Sequence, residues 1–244
     1  MRDMNIVTDL APTGTLCVSI NLGNPALTQG TAARPSGVTA DIARELGARL
    51  QIPVEFTCVG AARQSFETMV EGRADICFLA VDPAREEQVA FTAPYAVIEG
   101  VFVVPESSPT ASADDVDRAG IRIGVKEGSV YDLFLARTLQ HAEIVRGAEG
   151  TAVFVDQQLE AGAGIRQPVL DLVATHPGLR VLEPTFMEIR QAVGTARSKH
   201  QETKDFLYRF VEDLKADGFI ADSLARSGRR DAKVAPLAPR PGVA

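Results

Sequence analysis

The run Asp75–Val81, DICFLAV, opens on an acid and is then apolar at every position, without alternation. A strand with one face in water alternates apolar and polar residues, whereas an unbroken apolar run is covered on both faces, as in a parallel sheet between helices. The segments before it repeat the theme. Leu16–Asn21 (LCVSIN) reads as a strand closed by the turn Asn-Leu-Gly-Asn-Pro. Val38–Leu50 reads as a helix, with Ile42, Leu46 and Leu50 on one face and Thr39 as its N-cap. Pro53–Val59 reads as a strand, and Gln64–Glu71 as a helix ended by Gly72. This β-α-β-α-β order is the signature of a parallel sheet with crossover helices.

Ile98–Pro105 is a further strand, followed by a Ser/Pro-rich break over Glu106–Ala113. A second alternating series then begins. It has strands at Ile121–Val125, Ala142–Arg146 and Leu179–Leu182, an apolar stretch at Ala161–Ile165, and helices at Val130–Leu139, Val153–Glu160 and Leu170–Thr175. A long helix over Lys199–Ala216 stripes Phe206, Phe210, Val211 and Leu214 along one face, stops at Gly218, and precedes a short helix at Ile220–Arg226. The proline-rich tail KVAPLAPRPGVA reads as extended.

Composition narrows the partners. A net charge of −7 excludes nucleic acid or an anionic membrane as the main partner, because both need a basic footprint. The three cysteines, Cys17, Cys58 and Cys77, sit inside apolar runs, and an odd number cannot all pair within the chain. They read as small core residues in a reducing compartment. No Cys/His cluster has metal-ligand spacing, His141, His176 and His200 read as surface or packing residues, and no cofactor is implied. The opening MRDMNIVTDLAPTG lacks an apolar core of signal-peptide length, and no apolar run reaches about 18 residues. The chain as written therefore reads as neither a secretory precursor nor membrane-spanning.

Four segments, in this order, resemble family 3 extracellular solute-binding proteins, the polar amino acid binders of ABC importers. They are SGVTADIARELGARL, EGRADICFLAVDPAREEQVAFTAPY, GIRIGVKEGSVYDLFL and DFLYRFVEDLKADGFIADSLARSG, and the resemblance spans roughly Leu16 to Gly228. It implies an α/β, two-lobed, type II periplasmic-binding-protein-like fold, each lobe a mostly parallel sheet flanked by helices, with the ligand cleft between lobes that close by hinge motion. Lobe I would be residues 1–102 and 190–244, and lobe II residues 103–189. The implied partners are a small amino acid or related carboxylate and an ABC transporter permease, with the binding protein itself a monomer. The implied compartment is periplasmic, with cytoplasmic the alternative left by the absent signal peptide.

The resemblance also assigns residues. Arg85, six residues before Phe91, stands where the family keeps its carboxylate-binding arginine, and a planar guanidinium suits a carboxylate. The plainer reading is a surface arginine at a helix start, paired with Glu86 or Glu87. Ser129, after Gly128, would offer its hydroxyl and helix-start N–H groups as an anion site, or serve as an N-cap alone. Asn21 and Asn24 lie where the family places an acid or amide for the ligand amine, although Asn-Leu-Gly-Asn-Pro is also a good turn by itself. The backbone of Leu79 and Ala80 lies on the approach to Arg85, in a loop about two residues shorter than is common in the family. Tyr131 is a candidate cleft wall, and Tyr95 reads as structural. In lobe II the family's ammonium-binding aspartate falls at or beside Ile165 and Arg166, next to Gln167. A cation there implies either a second anionic group on the ligand or an arginine turned to solvent. An enzyme on the same fold, resembling cyclohexadienyl dehydratase, and a cytosolic ligand-sensing module are the alternatives. The enzyme would need a positioned acid, for which Glu99, Asp82 and Glu127 are candidates.

Overall fold

Leu16–Asn21 and Ile76–Ala80, both apolar in sequence, pair side by side in a parallel sheet, with Val18 opposite Ile76 and Ser19 opposite Cys77. The structure, a computed structural model, describes residues 2–228 and 232–239. The chain forms two compact units, Met1–Val97 with Arg190–Ala244, and Ile98–Ile189.

The first unit opens with helix α1 (Arg2–Leu10), strand β1 (Leu16–Asn21), the hairpin β2 (Gln29–Thr31) and β3 (Arg34–Ser36), helix α2 (Val38–Leu50), β4 (Val54–Val59), α3 (Ala62–Val70), β5 (Ile76–Ala80), the single turn α4 (Pro83–Glu86) and β6 (Val89–Phe91). The next strand, β7 (Ala96–Pro105), carries the chain into the second unit. There follow β8 (Arg122–Lys126), α5 (Val130–Thr138), β9 (Glu143–Gly147), α6 (Gly150–Asp156), β10 (Ala161–Ile165), α7 (Arg166–Thr175) and β11 (Leu179–Val181). Strand β12 (Met187–Ala196) brings the chain back, and α8 (Gln201–Ala216), α9 (Phe219–Arg226) and β13 (Lys233–Val234) finish the first unit.

In the first unit the strands run β4-β1-β5-β12, with β4, β1 and β5 parallel and β12 antiparallel to β5. Every residue of β5 is buried, as its unalternating sequence predicts. Asp75, just before β5, ties it to β1: its carboxylate accepts from the Cys17 amide at 2.8 Å and its own amide donates to the Cys17 carbonyl at 2.8 Å. Residue Asp9 does the same for α1 and α8. Its carboxylate accepts from Thr203 Oγ1 at 2.6 Å and the His200 amide at 3.0 Å, so it caps the start of α8. Those hydrogen bonds hold the Asp9 carboxyl below its ordinary range against the opposing effect of burial.

In the second unit the order is β7-β10-β8-β9, with β10, β8 and β9 parallel and β7 antiparallel to β10. Helix α6 packs on this sheet through Gly150. A Cβ there would sit 2.8 Å from the Ala163 carbonyl oxygen and 2.9 Å from the Lys126 nitrogen, both fixed backbone. Gly124 answers it from β8, where a Cβ would lie 2.6 Å from the Gly150 oxygen. The pair lets a helix approach a sheet more closely than side chains allow.

Several expectations move. The first crossing between units falls after Val97, inside β7, instead of after residue 102. Ala96 and Val97 pair with β13, whereas Gly100–Val103 pair with β10. Gly37, not Thr39, is the N-cap of α2, and Thr39 Oγ1 is buried against Thr28 Oγ1 at 2.9 Å and the Leu27 carbonyl at 3.3 Å. Helix α6 starts at Gly150 rather than Val153. Helix α1 and strand β12 have no counterpart in the sequence reading. The tail is extended up to Pro239, and its residues 240–244 lie outside the described residues. Among the described residues no helix is long and apolar enough to cross a membrane.

Candidate functional site

Three parallel strands deliver their carboxyl ends to one edge of the first unit's sheet, the edge at which open α/β sheets bind ligands. Beyond β1 lies the turn Asn21–Asn24, and beyond β5 lies Val81–Arg85. The turn is self-sufficient in part: Asn21 Oδ1 accepts from the Gly23 amide at 2.9 Å, and the Asn24 carbonyl accepts from Leu27 and Thr28 at 3.1 and 2.9 Å. The side-chain oxygen of Asn24 differs, being buried with no hydrogen-bond partner.

After β5 the sequence Asp-Pro-Ala-Arg makes one helical turn. Asp82 caps it by accepting from the Ala84 amide at 3.0 Å, and Pro83 fills the first helical position, where no amide donor is needed. Arg85 is buried, 3% exposed, and its Nη1 donates to the Ala80 carbonyl at 3.0 Å. Burial lowers the basicity of the guanidinium, and the neighbouring Asp82 works against that shift. The partners foreseen from sequence, Glu86 or Glu87, are replaced by Asp82 and the end of β5 itself. Cys77, also buried here, has its thiol pushed up to about 12, first by burial. Leu79 and Ala80 pair with Ala192 and Gln191 of β12. The ladder with β12 takes up one side of this backbone, and the Ala80 carbonyl accepts from Arg85.

In the second unit, Ser129 is the N-cap of α5, and its Oγ accepts from the Asp132 amide at 3.1 Å. Gly128, at φ 68, turns its amide to Asp132 Oδ2 at 2.9 Å. Asp132 also accepts from Arg146 Nε at 2.9 and 3.1 Å. The expected anion site at this helix start thus already holds a carboxylate of its own chain. Tyr131 is buried, and its hydroxyl, hydrogen-bonded to Ser129 and to the Lys126 backbone, has its acidity weakened by burial first of all.

Arg166 is the first residue of α7, where the helix dipole is unfavourable to a cation. Two carboxylates offset this. Its Nε donates to Glu99 at 2.5 Å, Nη1 and Nη2 donate to Glu183 at 2.6 and 3.0 Å, and Nη2 reaches Thr185 Oγ1 at 3.1 Å. The Glu183 carboxylate, chiefly, and that of Glu99 raise the basicity of Arg166, and the guanidinium in turn lowers the Glu183 carboxyl. Neither sequence alternative describes this arrangement: the arginine is neither offered to a second anion nor left in solvent. Gln167 donates to Asp171 at 2.8 Å along the exposed face of α7, away from such chemistry. Glu183 and Asp132 escaped the sequence reading, and Glu99 entered it only as a possible acid. An acid inside the apolar strand Ala96–Pro105 was the one available signal that a cation must meet it.

Among the described residues no group of histidine, cysteine or acidic side chains is placed to hold a metal ion.

A mixed α/β chain in two units, the first made of two separate stretches of sequence, is the build of a periplasmic-type solute-binding protein. The chain belongs to the bacterial extracellular solute-binding proteins, family 3, which it matches over residues 18–227. Among solved structures it resembles a mutant of ArgBP from T. maritima, with TM-score 0.74, 16% identity, and coverage of 91% of this chain and 99% of that one. The cysteine-binding protein from Campylobacter jejuni gives TM-score 0.74 and 17% identity, covering 92% of each chain. The ancestral amino-acid-binding protein AncCDT-1, a precursor of cyclohexadienyl dehydratase, gives TM-score 0.71 and 18% identity, covering 90% of this chain and 97% of that one. At these identities the likeness concerns the fold. No curated protein matches the sequence.

Proposed function

We propose that this solute-binding protein captures a small carboxylate-bearing, amino-acid-like ligand for an ABC importer outside the cytoplasm, without chemistry. The observation that carries the reading is Arg85, a buried cation at the carboxyl edge of three parallel strands. Burying a guanidinium is costly, Asp82 offsets part of that cost, and a ligand carboxylate is a stronger acceptor than the Ala80 carbonyl. The unpartnered Asn24 Oδ1, beyond the adjacent strand, supports an amine on the same ligand, because a buried acceptor without a donor is costly. Asn21, in the same turn after β1, is the further ligand contact proposed in this unit.

The ion pair with Arg166 ties up Glu99, one of the three acids an elimination could draw on, which favours binding over catalysis.

The test is a thermal-shift screen of amino acids, keto acids and dicarboxylates. A true ligand at about 100 times its Kd adds roughly 2.7 kcal/mol of stability. Amino acids are expected to raise the melting temperature, and a panel without any stabiliser overturns the reading. Turnover of prephenate or arogenate would establish the enzyme instead, and fractionation of cells expressing the native gene decides the compartment.

A further inference from the structure

We propose that residues 232–239 form a strap that holds the start of β7 and so governs how firmly the chain is fixed where it leaves its first unit. The inference is independent of which ligand binds.

The strap is fixed through several of its backbone groups. Lys233 and Val234 pair with Val97 and Ala96, and the Ala235 amide donates to the Tyr95 carbonyl at 3.1 Å. The Ala238 amide donates to Glu212 Oε2 at 2.9 Å, and the Pro239 carbonyl accepts from Tyr208 at 2.8 Å. Pro236 and Pro239 bring no amide donors, so the segment leaves few groups to satisfy, and proline also limits the freedom lost on docking.

Lys215 is the bolt. Its side chain is 1% exposed, and its ammonium reaches Pro94 O at 3.1 Å, Pro236 O at 2.9 Å and Glu212 Oε1 at 2.5 Å. The docked strap supplies one of the two carbonyl acceptors of this ammonium, and Glu212 pairs its charge. Lifting the strap removes the Pro236 acceptor from Lys215 and the Ala238 donor from Glu212 together, so these contacts form or break as a group. Tyr95 would lose the Ala235 donor to its carbonyl, and the edge of β7 at Ala96–Val97 would open. Because β7 continues as Ile98–Pro105, this loosening passes along the strand into residues that never touch the strap.

Hydrogen exchange read by mass spectrometry on the full chain, on a chain ending at Gly228 and on Ala235→Pro tests this. Loss of the strap should speed exchange at Ile98–Val101 about fivefold or more, and Ala235→Pro, which deletes one amide donor, should do so by about two- to fivefold. Acceleration confined to Pro94–Val97 and α8 would show a local brace only and overturn the proposal, as would unchanged exchange in both variants. Should the shortened chain fail to fold, Ala235→Pro decides alone.

Discussion

Arg85 folds back on its own strand: its guanidinium Nη1 lies 3.0 Å from the Ala80 carbonyl, the last residue of β5, five positions earlier. A cation is thereby held at the strand end between that carbonyl and the neighbouring Asp82. Any carboxylate that reaches it offers a charge-assisted bond roughly twice as strong.

Arg85→Met removes the charge and keeps much of the stem's volume. Fold stability should change by no more than about 2 kcal/mol, because apolar replacement of a buried ion is often neutral. The ligand-induced rise in melting temperature should vanish, and differential scanning fluorimetry with and without the stabilising amino acid reads both effects. A retained rise removes Arg85 from the binding role.

Asn24→Ala deletes an acceptor that has no donor. The unliganded protein should be unchanged or up to about 1 kcal/mol more stable. Calorimetry should show affinity for the amino acid falling about tenfold, while affinity for its des-amino analogue stays the same.

Arg166→Ala leaves Glu99 and Glu183 facing each other at a helix start. Glu99 and Arg166 are about a quarter exposed, so solvent screens the pair, and a cost of about 1–3 kcal/mol in urea denaturation is expected. Adding Glu99→Gln should recover part of the loss by removing one of the two repelling carboxylates.

Acid stability should carry a mark from Glu160. The Arg122 guanidinium and the Arg122 amide hold its carboxyl at about 2. A folded-state value below the ordinary one stabilises the fold above the ordinary carboxylate range, and that share is lost as pH falls toward about 2. The pair is well exposed, so its share is at most about 1 kcal/mol. Glu160→Gln should accordingly show a shallower loss of stability between about pH 4 and 2 in acid titrations followed by circular dichroism.

The local elements were legible where one rule governed them. Strand β1 and helix α2 fall on Leu16–Asn21 and Val38–Leu50 as read, because apolar spacing and flanking turns agree there. Strand β12 was not legible: Met187–Ala196 mixes Glu188, Arg190 and Gln191 with Gly194, and its burial follows from its place beside β5. At the start of α6, Gly150 reads locally as a helix breaker, and only its approach to β8 and β10 explains it. The site divides the same way. The position of Arg85 in the chain follows from motif spacing, but its acceptor follows from the fold-back of α4. Arg166 meets Glu99 across 67 positions and Glu183 across 17, separations at which local sequence carries no signal.

The two-part first unit has a consequence for the growing chain. Strand β5 leaves the ribosome with its apolar edge open, and its antiparallel neighbour begins at residue 187 of β12. At typical synthesis rates the roughly hundred intervening residues take about 5–20 s. By the end of that interval nearly all of Ile98–Ile189, which is continuous in sequence, has been made and can begin to assemble its own core. Meanwhile Ile76–Ala80 remains an exposed sticky edge, the segment where chaperone capture or misassembly of the nascent protein would begin.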